Sequence, residues 1–260
     1  MEKLNENLDI EVKPSEVDTS SFKIQDELTP KIWKNDVLNP QLRLKLLDIA
    51  DDFFETLEIS WVKPIDIILT GSICNFNWSE FSDIDLHIVI DFREIGENSE
   101  FVETYMNAKK NEWNEQHNNL TMFGYPVELY VQDINADAES GGVYSLEKNQ
   151  WISNPNNDTL KDLNNGQKSI IKICSSSLMN KIDEIYDAYM ENDDEYALGE
   201  LNHKLDKLTK KIKNMRQLSL KKHGEMGLGN IIYKVLRRTN YLDKMWDIKN
   251  KIYDKINSLN

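Results

Sequence analysis

The stretch "LTGSICNFNWSEFSDIDLHIVIDF" (residues 69–92) decides how this chain is read. A short apolar run, "IDIILT" (65–70), ends at Gly71, as a buried strand ends at a residue free to turn. Ten residues beyond Ser72, "SDIDLHIVID" (82–91) alternates with the two-residue period of a second strand. Ile84, Leu86, Ile88 and Ile90 then share one face, and Asp83, Asp85, His87, Val89 and Asp91 share the other. A strand has no structural use for two such carboxylates side by side. They repel each other, and burying either without a partner is costly. A divalent cation answers both problems, and hard carboxylate oxygens suit Mg²⁺, with Mn²⁺ as the alternative.

The flanking segments extend the pattern. "NPQLRLKLLDIADDFFETLEI" (39–59) predicts a helix, with Asn39 as cap, Pro40 in the first turn, and Leu42, Leu46, Ile49, Phe53 and Leu57 on one face. A second helix is expected over 101–118, with Phe101, Tyr105, Ala108 and Trp113 turned inward. "YPVELYVQD" (125–133) alternates as a strand, placing Val127, Leu129 and Val131 opposite Glu128, Tyr130 and Gln132. Glu128 is thereby a third carboxylate able to join Asp83 and Asp85, and acids around a pair of metal ions are an arrangement used for in-line displacement at phosphorus. Gly71 lets backbone approach a phosphate closely, while Ser72 and Ser82 offer hydroxyl donors to its oxygens.

An apolar strand ending in "LTGS" (69–72), ten residues, "SDIDLHI" (82–88) and later "VELYV" (127–131) together resemble the DNA polymerase β-like nucleotidyltransferase superfamily. The resemblance implies an α+β fold, a mixed sheet with flanking helices followed by a C-terminal helical domain. It also implies an NTP donor such as ATP, two Mg²⁺ ions held by Asp83, Asp85 and Glu128, and transfer of a nucleoside monophosphate with release of pyrophosphate. The motif covers about 60 residues. The chain as a whole is similar to predicted nucleotidyltransferases of large tailed phages. Many members carry Asp as the third acid, whereas this chain has the longer Glu128.

Domain organisation follows from shifts in period. Residues 1–20 lack periodicity and are expected to be a mobile tail, 21–158 the nucleotidyltransferase domain and 159–260 a helical domain. Residues 134–158 are rich in Asn, Ser, Gly and Asp and read mostly as loop, interrupted by "GVYSLEKNQWI". In the helical part Leu198, Leu201, Leu205, Leu208, Ile212, Met215 and Leu218 recur every three or four residues, "HGEMGLGN" (223–230) breaks the pattern, and helix resumes to the end.

Charge narrows the partners. The net charge of −14 argues against broad nonspecific nucleic-acid binding, yet residues 200–260 hold 15 Lys and Arg against 6 Asp and Glu. An RNA 3′ end, tRNA included, therefore ranks first as acceptor. A small molecule or a protein is the alternative acceptor, and a non-catalytic nucleotide-binding or antitoxin-like module the alternative function. Lys109, Lys168, Lys204 and Lys207 are candidates to complete a triphosphate site. His87 is expected to be a hydrogen-bonded residue of the carboxylate face, Trp78 and Phe81 loop anchors, Cys74 a packing residue and Asp91 the polar exit of its strand. The two cysteines form no disulfide framework or zinc spacing and fit a reducing cytoplasm, the host's for a phage protein. The acidic start is unlike a signal peptide, and no apolar run approaches membrane-spanning length. No feature specifies an oligomeric state.

Overall fold

A computed structural model describes residues 11–136, 141–156 and 160–258. The chain forms two compact units: Lys23–Lys161, and residues up to 22 together with those from Asp162 onward.

The first unit is built on a six-stranded mixed sheet. Its elements are the ribbon β1 (Trp33–Lys34) and β2 (Val37–Leu38), helix α1 (Pro40–Thr56), β3 (Asp66–Thr70), β4 (Ile84–Ile90), α2 (Ser99–Gln116), β5 (Thr121–Met122), β6 (Tyr125–Asp133), β7 (Val143–Ser145) and β8 (Gln150–Ser153). The sheet order is β5-β6-β4-β3-β7-β8. The β3–β4 pair is antiparallel, and β4 and β6 run parallel, joined by a crossover through α2. Asn39 caps α1 by accepting from the N–H groups of Gln41 and Leu42, with Pro40 at the first helical position. Leu42, Leu46 and Phe53 of α1 and Val102 and Met106 of α2 pack with Ile84, Leu86, Ile88, Val127 and Leu129 in one core. The alternation of β4 and β6 turns Asp85, His87, Glu128 and Tyr130 to the opposite face.

Beyond β5, the edge of β6 is closed by a side chain. The Asn114 amide of α2 donates to the Leu129 carbonyl (3.1 Å) and accepts from the Leu129 N–H (3.0 Å), satisfying a backbone position that no strand reaches. On the other side, the β7–β8 hairpin continues the sheet from β3, with Tyr144 and Trp151 packed against Trp33.

Two inward assignments on α2 change. Phe101 is 70% exposed and Ala108 is exposed, because Val102 and Met106 set the phase of α2 against the sheet; Tyr105 and Trp113 lie at the margin of the core. Along β4, His87 and Val89 are buried as well as the apolar face, so the second face of this central strand is covered beyond Asp85.

The second unit is helical: α3 (Asn165–Glu191), α4 (Glu195–His223), α5 (Leu228–Arg238) and α6 (Tyr241–Asn257). Asn164 and Gln167 form a reciprocal capping box on α3, and Asp194 caps α4 through the Ala197 N–H. The 223–230 break holds α5 against α4. A Cβ on Gly229 would lie 2.6 Å from the Met215 carbonyl oxygen, so only glycine allows the helices this close. Leu218 is 59% exposed rather than inward, because the buried stripe of α4 passes from Ile212 to Ser219 and leaves Leu218 off its line. The final helical stretch is divided by Asn240, whose positive φ of 61° separates α5 from α6.

Of the tail expected over residues 1–20, the first ten lie outside the described residues. From residue 11 the chain is packed: the Asn180 amide accepts from the Val12 N–H and donates to its carbonyl, and Val17 and Phe22 join the helical core. Among the described residues, no helix is long and apolar enough to cross a membrane.

Candidate metal centre

Two adjacent strands bring three acids together. Asp83 immediately precedes β4 and Asp85 is its second residue, so both side chains stand on one face. The parallel register of β4 and β6 sets Glu128 directly opposite Asp85. Asp83, Asp85 and Glu128 each contribute a carboxylate oxygen within 4.8 Å of the others, and all three are half-buried. At 4.8 Å, the widest spacing in the cluster, and with an effective dielectric constant near 20, a charged pair repels by about 3.5 kcal/mol. A hard-oxygen donor set crowded in this way fits a divalent cation such as Mg²⁺ or Mn²⁺.

The turn after β3 lies against the same acids. Thr70 pairs with Asp85 across the antiparallel register, and Gly71 follows with φ 77° and ψ −164°. A Cβ on Gly71 would fall 1.9 Å from Asp85 Oδ2, so the absent side chain is the space the carboxylate occupies. Ser72 starts a short 3-10 turn, and its hydroxyl meets that of Ser82 at 2.8 Å. That contact ties the end of the 72–82 loop to its beginning, and buried Ser82 also accepts from the Ser79 N–H (3.0 Å). Trp33 Nε1 donates to the Ile73 carbonyl (2.8 Å) and the Gln25 N–H to that of Phe76 (2.7 Å), which fixes the turn from outside.

Tyr130 supports the cluster. Its hydroxyl donates to Glu128 Oε2 at 2.6 Å, its ring stacks on His87 at 4.6 Å, and the Lys110 ammonium lies 4.2 Å from the ring centroid. Burial, then the charges of Asp85 and Glu128, push the Tyr130 phenol above its ordinary value of 10, so it stays a proton donor at neutral pH. His87 Nδ1 meets Gln132 Oε1 at 2.8 Å. Beside this pair is a cavity of about 410 Å³, where His87, Tyr130 and Gln132 face Ser99, Glu103 and Asn107 of α2.

Thus Gly71, Ser72, Ser82, Asp83, Asp85 and Glu128 gather at one end of the sheet. Lys109 is not with them; it lies 5.8 Å from the Tyr105 ring, and the neighbouring Lys110 reaches Tyr130 instead. Lys168 belongs to α3 and Lys204 and Lys207 to α4, in the helical unit. Trp78 anchors its loop by donating to the Glu27 carbonyl (2.8 Å), whereas Phe81 is exposed. Cys74 is fully buried. Asp91 caps the turn after β4 and accepts from the Arg93 guanidinium. Tyr130 and Lys110 escaped sequence reasoning. Tyr130 had a signal, two residues beyond Glu128 on the same strand face, but Lys110 depends on the phase and position of α2.

No family model matches the chain, and no curated protein matches it. Among solved structures, the chain is similar to the STING-associated CdnE c-di-GMP synthase from Capnocytophaga granulosa, with 11% identity over 87% of this chain and 90% of that one and a TM-score of 0.18. A likeness this slight carries no weight for fold or chemistry.

Proposed function

We propose that this protein is a metal-dependent nucleotidyltransferase that moves a nucleoside monophosphate from an NTP to an acceptor hydroxyl. The reading is carried by one observation: three carboxylates from adjacent strands converge beside a glycine turn that has room for no side chain. Asp83, Asp85 and Glu128 would hold two Mg²⁺ ions, with Mn²⁺ as substitute. When bound, such ions neutralise triphosphate charge and lower the pKa of an acceptor hydroxyl.

The residues of the chain divide the remaining work. Ser72, a half-buried residue, donates to a phosphate oxygen, and Ser82 orients it. Tyr130 occupies Glu128 Oε2 and leaves Oε1 for an ion or for the acceptor's proton. The acceptor oxygen bonds to the α-phosphorus as the bond to the β-phosphate oxygen breaks, and pyrophosphate leaves with that electron pair.

An RNA 3′ end remains the first-ranked acceptor, supported by the basic residues of 200–260. A small acceptor is the second reading, favoured by the cavity of about 410 Å³ beside Tyr130. Its lining includes Glu103 and Asp133 but no Lys or Arg, which suits a neutral or cationic molecule. The test is incubation with α-labelled NTPs, Mg²⁺, short RNAs and a panel of hydroxylated small molecules. Wild type should transfer label and release pyrophosphate, and Asp83→Asn and Asp85→Asn should not. Full transfer by a variant lacking all three acids would overturn the proposal.

A further inference from the structure

A row of lysines lies along one face of the helical unit. The sheet unit, residues 23–161, contains 11 Lys and Arg against 25 Asp and Glu, which accounts for the whole net charge of −14. The helical unit is balanced overall, and five of its lysines are neutralised locally. Lys234, Lys244, Lys249, Lys251 and Lys255 are each paired with a carboxylate. Lys181, Lys204, Lys207 and Lys211 have no such pairing among the described residues, and they surround a groove of about 450 Å³ between α3 and α4. The groove floor is apolar, formed by Ile185, Ala188, Leu201 and Leu208, and Glu184 is the one acid of its lining.

The groove is part of a longer stripe. At the helical turn of 3.6 residues, Tyr196, Lys204, Lys207, Lys211, Leu218 and Lys222 fall within about 80° of arc on α4, and Tyr196 to Lys222 spans about 39 Å. Tyr196 is 79% exposed and Leu218 59%, so an uncovered aromatic and an uncovered apolar side chain flank Lys204, Lys207 and Lys211. Glu200 is the acidic exception on this arc. A compact anion needs donors that converge on one point, whereas these are strung out along a helix. A row of unpaired cations with an aromatic platform matches a linear polyanion that carries flat apolar groups.

We propose that this face of α4, with Lys181 of α3, binds the phosphate backbone of a single-stranded nucleic acid. The choice of nucleic acid over an acidic peptide rests on the transfer reading above, and the binding itself does not. Contacts from the four groove lysines predict a slope of log affinity against log salt of about −3, a loss of about 50-fold between roughly 50 and 200 mM salt. The experiment is fluorescence anisotropy of a short fluorescein-labelled oligouridine with the full chain across that salt range. Combined Lys204→Gln, Lys207→Gln and Lys211→Gln should weaken binding and flatten the slope by about 2. Lys249→Gln and Lys251→Gln, on α6, should leave both unchanged, and circular dichroism would report whether each variant is folded. Absence of binding at low salt, or a slope unchanged in the triple variant, overturns the proposal, as does competition by polyglutamate equal to that by unlabelled RNA. Asp83→Asn should bind the oligonucleotide like wild type while failing to transfer label, so the two proposals fail separately.

Discussion

Replacing Gly71 with alanine tests whether the turn and the acids form one device. Two costs follow from the geometry. The backbone at φ 77° and ψ −164° lies in a region open essentially to glycine alone, and forcing another residue there costs about 1–3 kcal/mol. The new Cβ would also stand 1.9 Å from Asp85 Oδ2, so the carboxylate must retreat by about 1 Å to reach even a tight contact. Urea unfolding should then show the sheet unit destabilised by about 1–3 kcal/mol, with its melting temperature lowered by roughly 3–10 °C. The second cost reads out separately. Isothermal titration with Mn²⁺ under native conditions should show affinity reduced about 10- to 100-fold, the range for disturbed support of a ligand. If Gly71→Ala bound Mn²⁺ like wild type while remaining folded, Asp85 would not be a ligand held by this turn.

Other substitutions probe the supports of the site and of each unit. Tyr130→Phe removes the hydroxyl that holds Glu128 Oε2 and should weaken Mn²⁺ binding about ten-fold; wild-type affinity should show no phenol titration below pH 10, because the Tyr130 pKa is raised. Asn114→Ala leaves the N–H and carbonyl of fully buried Leu129 without their partner, and urea unfolding should report a loss of about 2–4 kcal/mol. In the helical unit, burial acts to raise the Glu225 pKa, but the charge and hydrogen bond of Lys234 and the bond from Asn230 outweigh it and hold the carboxyl below 4.5. Its stabilisation is therefore complete above about pH 4.5 and is lost as pH falls through the folded value. Glu225→Gln should cost about 1 kcal/mol at neutral pH, the pair being partly exposed, and the gap to wild type should close in acid.

Local sequence specifies structure where covalent geometry decides it. The two-residue period of a strand puts Asp83 and Asp85 on one face whatever else the chain does, and Asn39-Pro40 opens α1 by local capping. The boundaries of β6 follow its own alternation from Tyr125 to Asp133. Helix phase was less legible. Apolar residues on more than one face of α2 left the choice between Phe101 and Val102 to packing, and the sheet selected Val102. Likewise the regular leucine spacing of α4 runs on to Leu218, but α5 covers the face of Met215 and Ser219 instead.

By itself the sequence specifies two carboxylates on a strand, a glycine at the end of its neighbour and an acid on a later strand. Only the tertiary structure decides that Glu128 stands opposite Asp85 rather than one pair along, that Gly71 occupies the space against Asp85 Oδ2, and that Tyr130, His87 and Lys110 assemble behind them. The reason is that side-chain direction along a strand is a property of the local backbone. Register between strands joined by a crossover helix is instead settled by every packed side chain of the sheet and its helices at once.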